Sequence, residues 1–205
     1  PAAQAGHLTF GSFNNLAKVT PRVIALWAQL LQALPTARLL IKSKPLKDPV
    51  TAERLHRAFE SHGVTRERIE LIGQLADTSD HLHLGLYGRI DIGLDTFPYN
   101  GATTTCEALW MGVPVITLAG DRHAGRVGVS LLSRLGLSEF IADTPEDYVK
   151  LGVELAGDTE RLVQLRAGLR DRMRASPVCD GKAFTRALED TYRVLWHGWC
   201  DRVES

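Results

Sequence analysis

Residues 91–120, DIGLDTFPYNGATTTCEALWMGVPVITLAG, decide the fold: an apolar strand, a Gly-containing loop, a short helix opened by three threonines, and a second apolar strand. A helix that begins at a strand end leaves its first backbone N–H groups without acceptors. Here Thr103, Thr104 and Thr105 add hydroxyls to that turn, making a cradle suited to phosphate or pyrophosphate. Glu107 follows Thr103 by four residues, one helical turn on and on the same face. A carboxylate there can accept hydrogen bonds from a vicinal diol such as a ribose. Threonines also cap helices merely to satisfy orphan donors, so the segment by itself leaves a purely structural role open.

Outward from this segment, strands and helices alternate. HLTFGSF (7–13), ARLLIKS (37–43), RIELIG (68–73), DIGLDT (91–96), VPVITL (113–118) and SEFIA (138–142) read as strands. KVTPRVIALWAQLLQALP (18–35) reads as a helix capped by Thr20 with Pro21 in its first position, and VTAERLHRAFESHG (50–63) as one stopped by Gly63. SDHLHLGLYGRI (79–90) is a weak helix, and another is expected near 126–134. About six short apolar strands separated by helices predict an α/β fold, a doubly wound parallel sheet with helices on both faces. After Thr144 the pattern turns wholly helical in three segments, 144–157, 158–176 and 180–200, each opened by a capping Thr or Asp. The expected organisation is therefore an α/β domain over 1–143 with a helical appendage, 144–205, packing on it.

The 205 residues are 44% hydrophobic, enough for a substantial core, and 24 basic residues balance 24 acidic ones. That balance gives no electrostatic reason to expect nucleic acid or an anionic membrane as partner. Apolar runs are strand-sized, the N-terminus shows no basic-then-apolar signal, and three widely spaced cysteines, Cys106, Cys179 and Cys200, suit a reducing compartment. A cytoplasmic location is expected.

In such sheets ligands bind outside the carboxyl ends of the strands. The loop after the first strand, GSFNNLAK, offers Gly11 for close backbone approach, the amides of Asn14 and Asn15, and Lys18 as a cation for phosphate, although a lysine before a helix is also often simply solvated. The stretch 120–127 nearly matches a P-loop, but Arg126 and Val127 stand where lysine and a magnesium-binding hydroxyl belong, which excludes an ATPase. The absence of G-x-G-x-x-G after the first strand argues against nicotinamide or flavin enzymes. No G-x-S-x-G, H-E-x-x-H or C-x-x-C occurs. His81 and His83 are two residues apart, on different helix faces, so no metal site is indicated. His81 alone is suited either to pack on a base ring or to sit in solvent.

GSFNNLAKVTP, LDTFPYNGATTTCEALWMGVPVITLAG and SRLGLSEFIA together resemble the C-terminal half of the O-GlcNAc transferase family, including its bacterial and SPINDLY-like members, over nearly the whole chain. The resemblance implies the C-terminal Rossmann-like, nucleotide-sugar-binding domain of a GT-B glycosyltransferase, inverting and metal-independent. It would transfer N-acetylglucosamine from UDP-GlcNAc, a substrate rather than a cofactor, to Ser or Thr hydroxyls of a protein acceptor. It further implies an N-terminal GT-B half and a tetratricopeptide array outside this sequence. By motif position, Lys18 would contact the diphosphate as the catalytic cation with Asn15 beside it. Thr103 and Thr104 would meet the phosphates, Glu107 would hold the ribose, and Ala76 and His81 would take the uracil. The animal enzymes carry glutamine at the position of Asn15, histidine at Ala102 and aspartate at Glu107. The SPINDLY branch is linked to O-fucose transfer from a GDP-sugar, which keeps that donor as an alternative. A non-catalytic nucleotide-sugar-binding module is a second alternative, and an epimerase of GT-B type is disfavoured by the resemblance.

Overall fold

Strands without polar alternation are stable only between two helical layers, and such strands assemble here into one all-parallel sheet. In the computed structural model the described residues are 1–73 and 80–203, without the side chains at positions 3, 4, 80, 81 and 203. The strands are β1 (Thr9–Ser12), β2 (Arg38–Lys42), β3 (Ile69–Ile72), β4 (Ile92–Leu94), β5 (Val115–Leu118) and β6 (Ile141–Ala142), in the spatial order β3-β2-β1-β4-β5-β6. The order runs one way from β1 through β2 to β3 and the other way from β4 through β5 to β6. The switch therefore lies between β1 and β4, where Phe10 pairs with Ile92 and Gly11 with Gly93.

After a single N-terminal turn, α1 (Ala2–Ala5), the helices are α2 (Pro21–Ala33), α3 (Pro49–Glu60), α4 (Asp80–Gly85), α5 (Thr103–Trp110), α6 (Val127–Arg134), α7 (Pro145–Gly157), α8 (Thr159–Arg174) and α9 (Gly181–Val203). Proline opens α2, α3 and α7, where no N–H is needed, and Thr20, Asp48, Thr144 and Asp158 each accept from the N–H three residues on. Two sequence readings shift. The weak helix over 79–90 gives way after Gly85 to a 3-10 turn, Leu86–Arg89, which carries Tyr87 into the core. Glycines at 85 and 88 weaken continued α-helix there. SEFIA becomes a 3-10 turn, Ser138–Phe140, that buries Phe140, followed by a two-residue strand. An edge strand this short offers little unpaired backbone.

Helix α2 buries Val23, Ile24, Leu26, Trp27, Leu30 and Leu31, the apolar stripe of its 3.6-residue period. Helix α7 lies against it, and the link is polar as well as apolar. Trp27 Nε1 donates to Tyr148 Oη at 3.3 Å, and Tyr148 donates to the backbone oxygen of Asp95 at 3.4 Å, with both rings wholly buried. Helix α8 packs on α5. Arg170 donates to the carbonyl of Trp110 at 2.7 Å and Arg166 to that of Met111 at 3.5 Å, so cations cover the C-terminal end of α5. Among the described residues no helix is long and apolar enough to cross a membrane, and the cysteines are unpaired.

Candidate functional site

The crevice beyond β1 and β4 is closed by backbone that only glycine fits. A Cβ on Gly11 would lie 2.5 Å from Ile90, and one on Gly101 would lie 2.7 Å from Asn14 Oδ1. Gly101 thus lets the loop after β4 lie against the loop after β1. The same loop is folded by Asp95, 1% exposed, whose Oδ1 accepts from the N–H groups of Thr96 (2.9 Å) and Gly101 (2.7 Å) while Oδ2 accepts from Thr117 (2.8 Å). Asn100, equally buried, donates to Thr96 O and accepts from Gly128 N–H. These bonds fix where α5 begins.

The N-terminus of α5 opens on this crevice. Ala102 supplies no side-chain cap, so the first N–H groups of the helix are left for an acceptor outside it. Thr103 is exposed, Thr104 donates to Asn14 Oδ1 at 2.9 Å, and Thr105 turns back to Gly101 O at 3.1 Å. Lys18 reaches the same place from the loop after β1. Its Nζ donates to Asn100 O at 2.8 Å and stands 4.1 Å above the ring of Tyr99, which is 56% exposed. Burial lowers the Lys18 pKa, and the Asp95 carboxylate raises it back in part.

Glu107 lies one turn along α5. Its Oε2 accepts from Tyr87 Oη at 3.0 Å and pairs with His83 Nε2 at 2.9 Å, while His83 Nδ1 lies 2.6 Å from Lys42 Nζ. Phe13 packs on Tyr87 at 4.5 Å and on His83 at 6.2 Å between ring centroids.

The site residues drawn from the sequence meet in part. Thr103 and Thr104 lie at the start of α5, Lys18 bonds Asn100 in the loop that leads into that helix, and Glu107 lies one turn along it beside His83 and Tyr87. Asn15 is exposed and its Oδ1 accepts from Ala17 N–H, whereas Asn14, 5% exposed, sends its amide into the crevice. Ala76 lies outside the described residues, as does the side chain of His81. Asp95, Lys42, Tyr87 and Tyr99 were not singled out by the sequence reading, which weighed His83 only as a metal ligand.

Residues 4–188 match the sequence profile of glycosyl transferase family 41. The chain belongs to that family. It is 48% identical over 201 residues to a Hordeum vulgare protein described as a probable UDP-N-acetylglucosamine–peptide N-acetylglucosaminyltransferase, SPINDLY, covering 98% of this chain and 21% of the relative. Identity to the UDP-N-acetylglucosamine–peptide N-acetylglucosaminyltransferase of Caenorhabditis elegans is 29% over 189 residues, 92% of this chain and 16% of that one. An O-GlcNAc transferase mutant of Thermobaculum terrenum superposes with a TM-score of 0.88 at 45% identity, over 97% of this chain and 38% of that one. The chain spans about a fifth of the length of the curated SPINDLY relatives it matches. Family 41 membership and these neighbours make its sheet the C-terminal Rossmann-like half of the GT-B fold.

In this family 41 chain, Asp95 gives the crevice a pH signature. Burial pushes its carboxyl from 3.8 up to about 6, against the pull of its hydrogen bonds and of Lys18. The folded state then holds the proton more tightly than the unfolded chain, so this group's contribution to stability is fully present below about pH 4 and is lost as pH rises through 6. Urea titrations at pH 4.5 and 7.5 should show wild type gaining on Asp95→Asn upon acidification, because all other carboxylates cancel between the two. A difference independent of pH would refute the assignment.

Proposed function

We propose that this chain is the donor-binding half of an inverting, metal-independent protein O-glycosyltransferase that transfers N-acetylglucosamine from UDP-GlcNAc to Ser or Thr hydroxyls. One observation carries the reading: the Lys18 ammonium bonds the loop that leads into the uncapped N-terminus of α5, with the Glu107 carboxylate a single turn along that helix. A diphosphate fits the positive end, and a ribose diol fits the carboxylate.

When an acceptor hydroxyl attacks the anomeric carbon, the bond to the diphosphate breaks and negative charge grows on the leaving oxygen. Lys18 and the helix N-terminus supply fixed positive potential there, the part a metal ion plays elsewhere. Only one of the ammonium's three donors is engaged by a hydrogen bond among the described residues. The acceptor's proton goes to a group in the other half of the enzyme or to a donor phosphate oxygen.

The test is transfer by the intact protein from UDP-GlcNAc to a Ser/Thr peptide in excess EDTA, read by peptide mass. Undiminished transfer is expected. Activity lost in EDTA and restored by magnesium or manganese would end the metal-free mechanism, and a fucose mass from GDP-fucose with none from UDP-GlcNAc would move the donor to the alternative.

The ribose contact has its own check. 2′,3′-Dideoxy-UDP should bind wild type more weakly than UDP, because it leaves a partly buried carboxylate unpaired, and Glu107→Ala should discriminate little between the two. A variant that kept the full preference for the hydroxylated nucleotide would make Glu107 structural.

A further inference from the structure

Three side chains stand in line behind the Glu107 carboxylate, from three different parts of the chain. Lys42 ends β2, His83 lies on α4, and Glu107 lies on α5. The distances are 2.6 Å from Lys42 Nζ to His83 Nδ1 and 2.9 Å from His83 Nε2 to Glu107 Oε2. We propose that Lys42 is a positioning residue of the donor site: its ammonium anchors the His83 ring through Nδ1, and the Nε2–H of that ring holds Glu107 with its other oxygen, Oε1, turned to the donor's ribose. The inference rests on the donor-site reading given above and deepens it.

The argument is one of hydrogen-bond supply. An ammonium has donors and no acceptor, so the imidazole nitrogen facing it must carry a lone pair. The remaining nitrogen then carries the proton and faces a carboxylate, which only accepts. Burial lowers the Lys42 pKa while Glu107 raises it back, and among the described residues no carboxylate lies within ion-pair distance of this cation. A half-buried cation held against a neutral base, rather than against the carboxylate just beyond it, is a costly arrangement unless the orientation it imposes is used. Tyr87 gives Oε2 its second hydrogen bond at 3.0 Å, so that oxygen is saturated from behind, and no described residue bonds Oε1. The groups that face His83 are Lys42 from β2, Glu107 from α5, Tyr87 from the turn after α4 and the ring of Phe13 from the loop after β1.

Removing the ammonium as Lys42→Met takes away the hydrogen bond that anchors Nδ1, so the imidazole is free to turn and the carboxylate it holds loosens. The loss should therefore fall on ligands that carry a ribose and be restored by another cationic donor, which a role in packing alone would not produce.

The experiment is calorimetry on the intact protein with UDP and with inorganic pyrophosphate, at pH 8.0, for wild type, Lys42→Met and Lys42→Arg. At pH 8.0 UDP should bind Lys42→Met about tenfold more weakly than wild type, the order of one charge-assisted hydrogen bond. Pyrophosphate, which has no ribose, should bind both alike. Lys42→Arg, which keeps a cationic donor, should recover most of the UDP affinity. Equal UDP affinity in wild type and Lys42→Met overturns the inference. So does an equal loss for UDP and pyrophosphate, which would make Lys42 a plain phosphate contact, and so does a failure of Lys42→Arg to recover any affinity. Wild type that binds pyrophosphate but gains nothing from the nucleoside would instead sink the donor-site reading on which the inference stands.

Discussion

Lys18→Ala is expected to weaken UDP binding about ten- to a hundredfold, the range that a charge-assisted hydrogen bond of roughly 1.5 to 3 kcal/mol commands. The lysine reaches the mouth of the crevice at the start of α5, where its Nζ bonds Asn100 O and faces the Tyr99 ring. Both partners are also structural, so a loosened loop is the competing cause of any loss. Two controls separate them. Lys18→Arg, which restores the charge, should recover part of the affinity, and the thermal midpoint of ligand-free Lys18→Ala should stay close to wild type because the side chain is not buried. Calorimetry giving equal UDP affinity for wild type and Lys18→Ala would remove Lys18 from the site.

Trp27→Ala should cost about 3 to 5 kcal/mol of folding stability, the usual range for emptying the space of a wholly buried indole. The ring is 0% exposed on the apolar face of α2, and its N–H holds Tyr148 of α7. Trp27→Phe keeps most of the volume and should lose far less, chiefly the Trp27–Tyr148 hydrogen bond, worth about 0.5 to 1.5 kcal/mol. Urea unfolding decides it. A loss below about 1 kcal/mol for the alanine variant would mean that α7 is not braced through this residue.

The periodicities and caps were legible in the sequence because they are local. Thr20 with Pro21, Asp158 and the run VPVITL each announce their element from neighbouring residues, and each element forms where expected. The proposed site was open to sequence reading where one segment carries it, as with Thr103, Thr104 and Glu107, which share α5. What escaped was contact between segments. Asp95 reads as an acidic residue ending a strand, and nothing nearby in sequence reveals that Thr117, 22 positions on, will bond it. Lys42 and Glu107 are joined only through His83, 41 residues from the first and 24 from the second. The choice between Asn14 and Asn15 depended on which way the chain turns after β1. Asn15 caps the short turn Leu16–Lys18 from outside, which points Asn14 inward. Two adjacent amides of identical composition cannot be told apart without that turn.

The arginines of α8 that cover the carbonyl end of α5 have a consequence for anyone recombining these domains. The N-terminal end of α5 faces the crevice, yet the groups that complement its opposite pole, Arg166 and Arg170, are encoded some sixty residues downstream. A chimera joined between residues 120 and 158 would inherit Lys18, Asn14, Thr104 and Glu107 unchanged while importing a foreign α8. Conserving every crevice side chain would then not conserve the potential that α5 presents, because a helix whose far pole is left bare or met by acidic groups is a poorer source of fixed charge. The exchangeable unit is the sheet together with α8, and a seam is better placed after Arg174.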